Sequence, residues 1–276
     1  MSSATVSTTG PVGSQIDTTR PHSARLWNYW LGGKDNYPVD REVGDKIVEI
    51  FPGIVDAARH SRTFMHRAVN FMASEAGIGQ FLDIGVGLPT VDNTHEVVQR
   101  VRPDARIVYV DDDPLVMVHA RALLTSTRQG ACDYVHADLR IPSRILDAAS
   151  GTLDFTKPIA LLLLGILDHV IDGDEARAII DTLVARLAEG SMVAIACVTD
   201  ELHGELVHEA MGELKELGGP SIVARPAAEL AHYFDCEGLE LLEPGVVTCS
   251  RWRPDPNPFG DPEVSQLCGV ARKIRP

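Results

Sequence analysis

The run Phe81-Leu82-Asp83-Ile84-Gly85-Val86-Gly87-Leu88-Pro89-Thr90 decides the fold. A short apolar strand ends in a carboxylate and then in two glycines one residue apart. In an open α/β sheet, ligands bind beyond the carboxyl ends of the strands, beside the point where strand order reverses. Gly85 and Gly87 let the backbone turn sharply and come close to a ligand. Asp83 places a negative charge beside that turn, where a cationic amino group can be held. A tight structural turn is the rival explanation of a lone D-x-G-x-G, so the reading depends on what surrounds it.

Outward from this turn, short apolar strands alternate with helical stretches. Strands are expected over Phe81–Ile84, Ile107–Val110, Tyr134–Ala137, Ile159–Leu164 and Met192–Val198. A helix over Ser61–Ala76 carries Phe64, Ala68, Phe71 and Met72 on one face and stops at Gly77. Another over Asp174–Leu187 has an apolar stripe from Ala176 to Leu187 and a capping pair, Asp172 and Glu175, at its start. Repeated strand–helix–strand units predict a parallel sheet with right-handed crossovers. Leu239–Ser250 and Gln266–Ile274 are strand-like and joined by a loop holding Pro254, Pro256, Pro258 and Pro262, where no helix forms. Two strands joined without a helix pair antiparallel. The expectation is α/β, a Rossmann-like and mostly parallel seven-stranded sheet with a C-terminal antiparallel hairpin.

Two further strand ends carry acids. Val108-Tyr109-Val110-Asp111-Asp112-Asp113-Pro114 puts Asp111 where a carboxylate accepts both hydroxyl protons of a ribose. Asp112 and Asp113 also suit a solvated turn and helix cap ahead of Pro114. Val135-His136-Ala137-Asp138-Leu139 places a third acid one strand further out, within reach of a purine amino group; a simple cap is the other reading. Three consecutive strands ending in acids suit a ligand with an amine, a ribose and a purine amine. They suit a pyrophosphate poorly.

These motifs, D-I-G-V-G-L-P-T, V-D-D-D-P and H-A-D-L, resemble those of S-adenosylmethionine (SAM) dependent methyltransferases. With R-L-W-N-Y-W-L-G-G-K-D-N-Y (25–37), Q-F-L-D-I-G-V-G-L-P-T (80–90) and N-T-H-E (93–96), the chain is similar, from residue 17 to 274, to a bacterial family of such enzymes whose substrate is unassigned. The resemblance implies the cofactor SAM, with Asp83, Gly85 and Gly87 at its methionine part, Asp111 at the ribose, and Asp138 with Leu139 at the adenine. Ser61-Arg62-Thr63-Phe64 resembles an Arg-containing element of carboxyl methyltransferases, so Arg62 either clamps the SAM carboxylate or is a surface helix charge. Pro89 stands where many methyltransferases have a third glycine, which stiffens the loop. Pro89, Asp112 and Gly165 complete the candidate cofactor-binding set.

Methyl transfer from a sulfonium is an in-line displacement, activated within the cofactor itself; the protein aligns the partners and excludes water. A base is needed only where the nucleophile loses a proton. His169, after the fourth strand, either serves there or fills a satisfied niche. Tyr37 is the second catalytic candidate. His203 and His208, five apart, fall on different helix faces, and no metal site is expected. Residues 22–58 are aromatic-rich, with Gly32-Gly33 breaking a helix over Ala24–Leu31 and a second helix over Asp40–Phe51. Trp27 and Trp30 read as helix core. Tyr29, Lys34, Asn36 and Tyr37 straddle the Gly-Gly pair as a lid would. The expected organisation is a disordered tail (1–16), a helical cap or lid (17–60) and a SAM-binding methyltransferase domain (61–276).

Composition narrows the partners. The net charge of −14 works against nucleic acid, where cations must displace counterions from phosphates. The longest apolar run, Ile159–Leu167, is nine residues, against about 20 for a bilayer span. Five scattered cysteines without a C-x-x-C pair read as reduced thiols of a cytoplasmic protein. A small-molecule or small-peptide acceptor follows; the sequence does not fix oligomeric state. A non-catalytic SAM-binding protein stays open as an alternative. An NAD-dependent oxidoreductase fits less well, because Thr90 stands where the third glycine of G-x-G-x-x-G belongs.

Overall fold

The structure, a computed structural model, describes residues 17–90, 92–123, 125–258 and 260–274; the expected tail over 1–16 lies outside the described residues. Three helices come first: α1 (Ser23–Trp30), α2 (Pro38–Ile50) and α3 (Ile54–Ser74). The alternating part follows as β1 (Gln80–Ile84), α4 (Thr94–Val101), β2 (Arg106–Asp111), α5 (Pro114–Leu123), β3 (Ala131–His136), α6 (Pro142–Ala149), β4 (Ala160–Leu164), α7 (Gly173–Ala185) and β5 (Met192–Val198). The chain ends with α8 (Gly204–Glu216), α9 (Ala227–His232), β6 (Leu239–Leu241), β7 (Val247–Thr248) and β8 (Gln266–Lys273).

The sheet runs β3-β2-β1-β4-β5-β8-β6, with β7 pairing β8 off this path. β1 to β5 are mutually parallel, and β8 lies antiparallel against β5, β6 and β7. The expected mostly parallel sheet with an antiparallel C-terminal end is therefore present, and strand order reverses between β1 and β4. The Leu239–Ser250 stretch is not one strand. Pro244 supplies no N–H, Gly245 takes φ +83°, and its N–H donates to the Leu242 carbonyl at 2.8 Å, so the segment turns and splits into β6 and β7.

Side chains alternate across β1, so Phe81 and Leu82 enter different cores. Leu82 and Ile84 face α6, α7 and α9. Phe81 packs with α3, α4 and Trp252. β4 is apolar on both sides because both faces are covered, as parallel strands require. α3 begins at Ile54, earlier than the expected Ser61, because Ala57 and Ala58 extend its buried stripe back to the Pro52-Gly53 break.

A third cluster joins Leu26 and Trp30 of α1 to Val43 and Ile47 of α2 and Val207 and Leu214 of α8. One acid organises its entry. Asp40, fully buried, pairs with Arg25 Nε at 2.8 Å and accepts the backbone N–H groups of His22 (3.1 Å) and Tyr37 (2.8 Å). α1 is thereby fixed to α2 and laid across the carboxyl ends of the parallel strands.

Candidate active site

A cleft of about 550 Å³ opens where strand order reverses, within the range of small-molecule sites. Its floor is the Ile84–Leu88 turn and its roof is α1, through Ala24, Trp27 and Asn28. Asp83, Asp111 and Asp138, from three adjacent strands, all line it. So do Arg62, Gly85, Gly87, Asp112, Leu139, Gly165 and His169.

Asp83 is 7% exposed, and its Oδ2 accepts the Thr94 hydroxyl at 2.6 Å. Burial raises its carboxyl to about 6 against the pull of Thr94 and the Arg62 guanidinium. Arg62, held by Nη2 donating to the Asp92 carbonyl at 2.9 Å, is lowered by burial and supported by Asp83. It stays cationic, as guanidinium does in proteins. An anion and a cation side by side complement the ammonium and carboxylate of an α-amino acid. Arg62 is thus a cleft residue and not a free surface charge.

Asp111 accepts Gly87 N–H at 3.0 Å and Asp113 N–H at 2.9 Å, so one carboxylate ties the glycine turn to the end of β2. Burial raises it to about 6. Each oxygen keeps a second lone pair, which is what two neighbouring hydroxyls need. Asp112 is exposed at the rim. Asp113 caps α5 through Leu115 N–H (2.8 Å) and meets His22 Nδ1 at 3.2 Å. Asp138 is 41% exposed and accepts Arg140 N–H at 2.8 Å. Gly85 has φ +77°, and a Cβ there would stand 2.5 Å from Ile166, so only glycine fits the turn.

Two candidates fall elsewhere. Pro89 is buried behind the turn and does not line the cleft. Tyr37 is absent from the lining because its ring packs beside Leu88 and Leu115 under the Arg25 guanidinium, 5.2 Å from the ring centre. The Gly-Gly segment also differs from a loose hinge. Asn28 Oδ1 accepts Asp35 N–H (3.0 Å) and Asn36 Nδ2 (2.9 Å), and a Cβ on Gly33 would stand 2.4 Å from the Asn28 side chain. The roof is built by α1 itself, while Tyr29 is drawn away by Asp45 at 2.6 Å.

A smaller chamber of about 70 Å³ adjoins the cleft and shares Ser23, Trp27, Gly165 and His169 with it. Its walls are mainly aromatic and aliphatic, from α1, α2 and α8. Asp168 reaches it from the 3₁₀ turn Leu167–His169; both its oxygens accept Val198 N–H at 3.2 Å, and burial raises the acid to about 7. His169 is lowered by burial, so its imidazole is neutral near pH 7. Sequence reading passed over Thr94, Asn28, Asp168 and Gln266. Thr94 lies within the N-T-H-E motif, where Asn93 N–H donates to Glu96 at 2.7 Å in a capping box. Gln266 stands at the head of β8, ahead of the run Leu267–Ala271, and gives no local signal.

A parallel sheet reversing beside an acid-lined glycine turn, with no third glycine for a pyrophosphate, defines the Rossmann-like methyltransferase class. The chain belongs to the S-adenosyl methyltransferase family, whose model matches residues 10–274. S-adenosylmethionine is its methyl donor. It is 42% identical to a DUF574-family protein of Streptomyces avermitilis MA-4680, over 93% of this chain and 99% of that one, with a TM-score of 0.88. It is 38% identical to a protein of Thermobifida fusca YX provisionally named a methyltransferase, over 94% of this chain and 97% of that one, with a TM-score of 0.84. The plantazolicin methyltransferase BamL, solved with S-adenosylhomocysteine, shares the fold at 14% identity and a TM-score of 0.51 over 91% of this chain and 96% of that one. Among curated proteins none matches.

Proposed function

We propose that the chain methylates a small molecule or small peptide, with SAM held in the acid-lined cleft. Arg62 and Asp83 take the carboxylate and ammonium of its amino-acid part, Asp111 and the rim acid Asp112 the ribose, and Asp138 with Leu139 the adenine. Gly85, Gly87 and Gly165 let backbone approach the ligand. The cofactor supplies a methyl group already activated on a sulfonium; the protein's work is to align the acceptor with it and keep water out. Residues 61–276 form the catalytic domain, and α1, within 17–60, closes over it. His169, neutral and at the mouth of the side chamber, orients the acceptor. A cytoplasmic setting accords with five free cysteines and with no helix, among the described residues, long and apolar enough to cross a membrane.

The observation that carries this is the placing of three carboxylates from three adjacent strands around one cleft with Arg62. Isothermal titration tests it: S-adenosylmethionine and S-adenosylhomocysteine bind, and NAD does not. Binding without methyl uptake by any member of a metabolite set would favour a non-catalytic SAM-binding protein instead.

A further inference from the structure

Gln266 opens β8, opposite Val198 of β5, and is 2% exposed. Its side-chain Nε2 is buried with no hydrogen-bond partner. Leaving such a donor unpaired costs free energy, so an orphan amide facing a chamber marks a place where something else completes the bond. Gly165, on the wall between cleft and chamber, shows where. The point at which a Cβ on Gly165 would stand lies 3.9 Å from Asp168 Oδ2 and 4.0 Å from Gln266 Nε2. No other described atom outside the neighbouring residues comes within 4 Å of it.

A buried donor and a carboxylate therefore flank the space that Gly165 leaves open in the chamber wall. A single group that both accepts and donates, lodged in the chamber in front of Gly165, serves both partners, which is the description of a hydroxyl. An ammonium has nothing to offer the Gln266 donor, and a carboxylate is repelled by Asp168 in its ionised form. An amide spreads its acceptor and donor over two atoms. Water has the right chemistry but gains nothing from the remaining walls, which present Trp27, Trp30, Phe51 and Leu214 to whatever carries the oxygen. At about 70 Å³ the chamber admits a few carbon atoms beside that oxygen.

Resting on the methyltransferase reading above, we propose that this chamber is the acceptor subsite and selects a neutral, apolar alcohol, whose hydroxyl is gripped between Gln266 and Asp168. Both are specificity-determining residues.

The test uses the full chain saturated with S-adenosylhomocysteine and four probes of similar size: 1-butanol, 1-butylamine, butyrate and butyramide, with binding followed by saturation-transfer NMR. The alcohol is expected to bind about tenfold more tightly than each of the others. This ranking on the unaltered chain tests the proposal without any variant. Gln266→Met, close in shape, should abolish the preference and raise Tm by about 3 °C, because it removes an unpaired buried amide. Its affinity for S-adenosylhomocysteine should stay within about twofold, since Gln266 does not line the cofactor cleft. Equal binding of the four probes, or a Gln266→Met chain that keeps the alcohol preference, overturns the proposal. Failure of the unaltered chain to bind S-adenosylhomocysteine would instead overturn the cofactor reading on which it rests.

Discussion

Asp83 is the side chain on which burial and charge work most plainly against each other. In the ligand-free protein, desolvation holds it at about 6, above its usual 3.8, and the Thr94 hydroxyl and Arg62 keep it from rising further. An ammonium placed beside it favours the ionised form, so its pKa falls on binding and a proton is expelled wherever the free protein was protonated. Affinity for S-adenosylmethionine should therefore climb as pH rises from 5 to about 6 and flatten above. Calorimetry near pH 5.5 in two buffers of different ionisation enthalpy should register proton release. Asp83→Asn should reduce that release to the share of Asp111, which burial also raises to about 6, and weaken binding by about 2 kcal/mol at pH 7, the scale of a hydrogen bond to a charged group. Uptake of protons, or no buffer dependence at all, would mean that the ammonium lies elsewhere. Arg62→Met should weaken binding by a similar amount and increase the proton release, because the guanidinium no longer holds the Asp83 carboxyl down.

Among the elements, α1 owes its place to one buried ion pair. Arg25 is 3% exposed and Asp40 fully buried, and removing one partner strands the other charge. Asp40→Ala should cost about 3–5 kcal/mol in urea unfolding, and any chain still folded should bind S-adenosylhomocysteine more weakly as the roof loosens. At the far edge, Lys273 Nζ donates to the Val184 and Leu187 carbonyls at 2.8 Å each, closing the C-terminal end of α7 from the last strand. Lys273→Met should cost about 1–3 kcal/mol with cofactor affinity unchanged, which separates a fold-holding cation from a ligand-holding one. The elements legible in the sequence were those with strong local pattern. β5 runs Met192–Val198 as expected, and the Asp172 side chain accepts Glu175 N–H at 2.9 Å as the capping spacing required. What escaped was set by partners distant in sequence. Gln266 shares a chamber wall with Asp168 only because β8 returns antiparallel to β5, and Tyr37 left the cleft because Asp40 and Arg25 claim its segment. The acids 83, 111 and 138 were readable because strand ends along one sheet edge share a ligand whatever the loops do.

At the scale of the whole molecule, the cleft divides a sheet-borne floor from a helical roof, and cofactor touching both couples their stabilities. The roof is fastened by two polar pairs, Asp40 with Arg25 within the N-terminal helices and His22 with Asp113 across the cleft, and by the apolar packing of Leu26 and Trp30 on α2 and α8. Such a cap opens by itself at lower cost than the sheet unfolds. A ligand bound to the closed form resists that opening in proportion to its saturation, by about 2.7 kcal/mol at a hundred times its Kd if opening abolishes binding. Hydrogen exchange followed by mass spectrometry should then show the amides of α1 slowing by about tenfold or more with S-adenosylhomocysteine, together with the turn at Gly85–Gly87. α6 (Pro142–Ala149), which contributes no residue to the cleft, should exchange unchanged. If the Gly85–Gly87 turn slows while α1 does not, the cofactor sits on the floor without engaging the roof, and α1 is a fixed wall of the acceptor chamber instead of a lid.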